Sequence, residues 1–143
     1  MKRALFCKKC GCQLTQWLTP ITDIDEMNLR CNFANRYDGD PVHPVPAGFV
    51  LVLEGDVLQA RLEAVPGWDG QAGTWVNLAD LSKAVGYTSD QKRMIGCCGL
   101  DGCDGPNRIC SCDAEVGTES SDCWTWHLFV PVAENTSWKN NDH

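Results

Sequence analysis

Cys7-Lys8-Lys9-Cys10-Gly11 is the stretch that settles how the two ends of this chain meet. Two thiolates separated by two residues can bind one metal ion, and the glycine after them permits a turn that points backbone amides at the sulfurs. A thioredoxin-like redox pair has the same spacing, but it sits at a helix start near a βαβ pattern, whereas these flanks suggest a strand end. The motif therefore reads as a metal knuckle. A four-coordinate ion needs two more ligands, and no second C-x-x-C follows. The remaining cysteines lie at both ends: Cys12 and Cys31 early, then Cys97, Cys98, Cys103, Cys110, Cys112 and Cys123, with none from 32 to 96. The knuckle must be completed from the far end of the chain.

A length of 143 residues fits one domain. It divides into an N-terminal cysteine knuckle (1–31), a cysteine-free β-rich middle (32–96), a cysteine-rich metal-binding segment (97–134) and a flexible tail (135–143). With 43% hydrophobic residues such a chain can bury a core without covalent staples, so ten cysteines are surplus to packing.

In the middle, Phe49-Val50-Leu51-Val52-Leu53 is a continuous apolar run between Gly48 and Gly55, which predicts a buried strand. Residues 57–64 alternate loosely and predict its hairpin partner across Glu54-Gly55-Asp56. Thr74-Trp75-Val76 predicts another strand. Asn77 can cap a short helix over 78–85, with Gly86 as its C′ residue. Thr125 to Val132 is β-prone and aromatic, with Pro131 suited to an edge or a strand end.

Strand geometry narrows the late ligands. Adjacent Cys97 and Cys98 would face opposite ways, so one of them at most reaches a given ion. Cys110 and Cys112 would share a strand face, and Cys123 and His127 share a face whether that segment is strand or helix. The candidate set is Cys7 and Cys10, with Cys98, Cys110 and Cys123 for the remainder and His127 in reserve. For His127, a core or edge histidine satisfied by backbone is an equal alternative. Cys12, Cys31 and Cys103 read as small buried side chains. From Gly96 to Gly105 a glycine recurs at every third position, which lets backbone approach a metal, a ligand or the crossing knuckle closely. Asp101 and Asp104 lack the spacing of a calcium loop and read as turn residues.

The segments Gly96-Cys97-Cys98-Gly99-Leu100-Asp101-Gly102, Gly105-Pro106-Asn107, Glu115-Val116-Gly117-Thr118-Glu119 and Ser121-Asp122-Cys123-Trp124 stand behind an N-terminal C-x-x-C-G. In these the chain resembles a group of small uncharacterised bacterial cysteine-rich proteins. The resemblance implies a bacterial cytosolic protein and a knuckle paired with the C-terminal segment. It implies no activity and transfers no catalytic residue.

The formal charge is −7, which disfavours nucleic acid as a general partner. Lys2, Arg3, Lys8 and Lys9 form the one basic cluster and read first as a solvated terminus, with phosphate contact as the alternative. No secretory h-region follows Met1, and no apolar run reaches the roughly 20 residues of a membrane span, so a soluble, cytoplasmic protein is expected. Clustered cysteines in a reducing compartment are metal ligands or redox groups more often than disulfides. Four scattered tryptophans, Trp17, Trp68, Trp75 and Trp138, read as core and rim, and an exposed group of them would mark a partner surface.

The expectation is a β-rich α+β domain: a small antiparallel sheet, one short helix, and a zinc knuckle closed by the C-terminal cysteine segment. Its function reads as structural zinc supporting a binding or interaction module with a protein partner, not as an enzyme. The alternatives are a zinc hydrolase with an open coordination position and Glu115, Glu119 or Asp122 as base, or an iron-thiolate electron-transfer protein. The sequence has neither H-E-x-x-H nor the zinc-deaminase pattern.

Overall fold

Short β-prone runs broken by turn residues give a structure made almost wholly of strands. The computed structural model describes residues 1–21, 43–52, 74–97, 99–122 and 126–141. Among them run β1 (Arg3–Cys7), β2 (Thr19–Ile21), β3 (Phe49–Val52), β4 (Thr74–Val76), β5 (Val85–Tyr87), β6 (Arg108–Cys110), β7 (Glu115–Ser120), β8 (Leu128–Pro131) and β9 (Thr136–Asn140). β1 and β9 form a small antiparallel sheet; the others form a second sheet in the order β2-β3-β4-β8-β7-β6-β5. That larger sheet is antiparallel except where β2 runs parallel to β3. The expected β-rich architecture is found.

Two local expectations are corrected. The helix over 78–85 is a single 3-10 turn, Leu78–Asp80, although Asn77 does cap it by accepting from the Ala79 amide. Leu81 is already extended and bridges to Thr15, and Gly86 lies inside β5 opposite Ile109. Pairing with neighbouring strands thus takes residues that local propensity offers to a helix. The hairpin partner expected over 57–64 lies outside the described residues; β3 itself has β2 on one edge and β4 on the other. The tail expected to be flexible forms β9, in register with β1 from Cys7↔Thr136 to Arg3↔Asn140.

The two sheets share one core. Leu5 of β1 packs with Leu14, Leu18, Val50, Val76, Val85, Val116 and Phe129, and Trp138 of β9 lies against them. Burying each such side chain is worth about 1.5–3 kcal/mol. Residues 13–18 link the layers: Leu18 and Gln13 bridge to Arg3 and Phe6, while the Gln16 amide donates to the Asp80 carbonyl and the Ser82 amide to that of Leu14. Cys7 and Cys110 belong to this core, so the ends of β1 and β6 are fixed against each other by packing. No helix among the described residues is long and apolar enough to cross a membrane.

Candidate metal centre

Two cysteine-bearing turns, the second one residue tighter than the first, come together at the rim of the core. In the first, Cys7 ends β1, the Gly11 amide donates to the Cys7 carbonyl at 2.8 Å, and the Cys7 amide donates to Cys12 at 2.9 Å. Gly11 has φ +78°, the left-handed conformation that lets the chain reverse. In the second, Cys110 ends β6, the Asp113 amide donates to the Cys110 carbonyl at 2.8 Å, and the Cys110 amide donates to Ala114 at 2.8 Å. Asp113 takes the left-handed place there, with φ 71°. Aspartate is one of the few residues with a side chain that tolerates it.

These turns bring four sulfurs together. The Sγ atoms of Cys7, Cys10, Cys110 and Cys112 all lie within 4.8 Å of one another. Cys7 is 3.6 Å from Cys112, and Cys10 is 3.5 Å from Cys110. A disulfide would need about 2.05 Å, and none of the four is in one. Four thiolates around an ion at about 2.3 Å stand about 3.8 Å apart. The cluster could therefore hold a metal ion with little movement, two ligands coming from each turn.

The backbone is arranged to favour negative sulfur. The Cys12 amide donates toward Cys10, and the Cys112 amide toward Cys110. The Cys12 amide lowers the Cys10 pKa, but the hydrogen bond with Cys110, burial, and contacts with Cys112 and Cys7 outweigh it and push Cys10 up to about 12. For Cys110 burial opposes ionisation, yet the Cys112 amide, Cys10, Ser111 and Cys112 together hold its thiol down to about 7. Without a metal the two thiols share a proton and titrate as one coupled pair, Cys110 lowered and Cys10 raised. Cys12 lies alongside, its thiol pushed up by burial and by Cys110, Cys7 and Cys112.

The predicted site residues divide as follows. Cys7, Cys10 and Cys110 come together. Cys112 joins them where Cys98 and Cys123 were expected, and both of those lie outside the described residues. Cys110 and Cys112 meet the cluster from a turn instead of one face of a strand. His127 stands elsewhere: its Nε2 is 3.0 Å from the Asp122 carbonyl and its ring meets His43 edge-on at 5.3 Å. Burial, with the neighbouring His127, lowers the His43 pKa. The C-x-C spacing with a left-handed-tolerant residue next to it was the available signal for Cys112.

The glycine-rich run approaches backbone, not the knuckle. A Cβ on Gly99 would stand 2.4 Å from the Ser121 carbonyl oxygen, and the Ser121 amide donates to Leu100 at 2.8 Å. Asp101 accepts from the Cys103 amide, a turn role as expected. The three candidate bases are each engaged. Glu115 pairs with Arg93 at 2.8 Å, and Asp122, fully buried, accepts from the Cys97 amide at 2.8 Å. Glu119 is buried against Arg108 at 2.5 Å and also accepts from Tyr87 and Ser121. Arg108 in turn donates to the carbonyls of Gly86 and Val85, so this network ties β5, β6 and β7 together. No family model, curated protein or solved structure matches this chain.

Proposed function

We propose that this is a small zinc-binding protein in which Cys7, Cys10, Cys110 and Cys112 hold one structural zinc ion and the surrounding strands serve as an interaction module. The observation that carries the reading is the mutual approach of four sulfurs, none in a disulfide, from two cysteine-bearing turns. A complete set of four thiolates leaves no coordination position for substrate, which separates a structural site from a hydrolytic one. The engagement of Glu115, Glu119 and Asp122 in pairs and caps supports the same side. A structural ion of this kind contributes apparent binding energy on the order of 10–16 kcal/mol, as much as a whole domain's stability. It would clamp the start of the chain to the β6–β7 turn, so folding and metal loading are one event. The reading sets the protein in a reducing cytoplasm of bacterial type, where such thiols stay available to metal.

Four thiolates also suit iron. Elemental mass spectrometry on protein purified without added metal decides between them. About one zinc per chain is expected for a single four-thiolate site. Stoichiometric iron and a coloured protein would turn the reading to electron transfer, and absence of any stoichiometric metal would overturn it.

A further inference from the structure

The acidic net charge hides a sharp segregation. Residues 1–21 and 135–141 contain no aspartate or glutamate but five cations, Lys2, Arg3, Lys8, Lys9 and Lys139; the other seven basic and all nineteen acidic residues lie elsewhere. The fold unites these two segments, because β1 pairs with β9 and residues 13–18 lie along the other edge of β1. Lys8 and Lys9 reach the carbonyls of Ala133 and Cys112 beside the thiol cluster, where their charge offsets that of the sulfurs. Lys2 and Lys139 are exposed at the opposite end of the small sheet.

On that sheet the cations alternate with aromatic rings. Lys139 is opposite Ala4, so its side chain lies on the same face as Ala4 and, two residues on, Phe6. Its ammonium stands 4.6 Å over the Phe6 ring. Trp17 meets Phe6 edge-on at 6.2 Å and is 37% exposed, the one tryptophan among the large exposed apolar side chains of the described residues. An exposed indole on a face whose described segments carry lysines and no aspartate or glutamate offers a stacking platform and phosphate contacts together.

We infer that the β1–β9 face, through Trp17, Phe6, Lys2 and Lys139, binds single-stranded nucleic acid without sequence preference. The bases stack on Trp17, which Phe6 braces edge-on, and the phosphates meet the lysines. The inference goes beyond the metal reading, since pairing with β9 and the bridges to Leu18 and Gln13 hold β1 in this face. The field of the remaining acidic surface repels polyanions, which confines contact to this face and keeps affinity modest.

The test is fluorescence anisotropy of the full chain with labelled oligo(dT), oligo(rU) and a duplex of the same length, with metal content measured for every variant. Single strands should bind more tightly than duplex. With about two phosphates neutralised, affinity should fall about 7-fold between about 50 and 200 mM salt. Trp17→Ala should lose about tenfold at unchanged metal content, and the double variant Lys2→Glu, Lys139→Glu should flatten the salt dependence. Absence of single-strand binding at the lower salt, preference for duplex, or Trp17→Ala binding like the parent with its metal retained would each overturn the inference. So would binding that appears only with anionic lipid vesicles or with polyglutamate. Wild-type protein that binds single strands but carries no metal would leave this surface standing and sink the zinc reading instead.

Discussion

Cys10 and Cys110, a hundred residues apart in the chain, place their sulfurs 3.5 Å from each other. Closing so long a loop costs several kcal/mol of chain entropy, growing slowly with length. The core provides part of the compensation, since Cys7 and Cys110 pack with Leu5, Val85 and Val116. A shared ion would supply the rest and make the contact specific.

Cys112 separates this account from the simplest reading of the cysteine pattern. Cys112→Ser should reduce bound metal well below one equivalent and lower Tm by about 10 °C or more, since each kcal/mol is worth roughly 3–4 °C at this size. Cys103→Ser, at an exposed turn position, should keep both. Metal analysis and a thermal melt of the two variants check this; equal behaviour would remove Cys112 from the site.

In metal-free protein the thiols themselves titrate unequally. Cys110 is lowered from 9.0 to about 7, so its ionisation stabilises the fold in full above pH 9, and that contribution is lost as pH falls through 7. Cys10 is raised from 9.0 to about 12, so its contribution is complete below pH 9 and lost as pH rises through 12. Ultraviolet thiolate absorbance after chelation should show one step near pH 7 that Cys110→Ser removes. Absence of that step contradicts the shared-proton arrangement.

How much of this was legible in the residues depends on whether the signal was local. The Cys7–Gly11 knuckle, the strands at Phe49–Val52 and Thr74–Val76 and the Asn77 cap follow from spacing and side-chain chemistry within a few positions. β9 did not, because Asn135 to Asn140 is polar and gains its order from register with β1. Nor did β6–β7: Cys110 and Cys112 read as strand neighbours, whereas β6 ends at Cys110 and Asp113, at φ 71°, turns the chain just after Cys112. The choice of partners for the knuckle is likewise a long-range property.

Arg108 and Glu119 form a buried pair whose other hydrogen bonds are also made, so breaking one side leaves a charge stranded. Arg108→Ala should cost about 3–5 kcal/mol, while the double replacement Arg108→Met, Glu119→Leu should cost much less. Denaturant melts of the two variants test this. Both should retain metal, which keeps the network's role distinct from that of the thiols.

Gly117 lies beneath the Phe129 ring, and a Cβ there would stand 2.1 Å from Phe129 Cζ. Gly117→Ala should destabilise by about 1–3 kcal/mol through overpacking. Adding Phe129→Leu should recover part of the loss, as a denaturant midpoint would show.

The central claim is that four named sulfurs close on one ion. X-ray absorption at the zinc edge of protein as purified tests it most directly. Zinc held by Cys7, Cys10, Cys110 and Cys112 should give a single shell of four sulfurs at about 2.3 Å, reduced to three in Cys112→Ser protein that retains zinc. A shell containing nitrogen or oxygen in the parent protein, or no zinc edge at all, would contradict it.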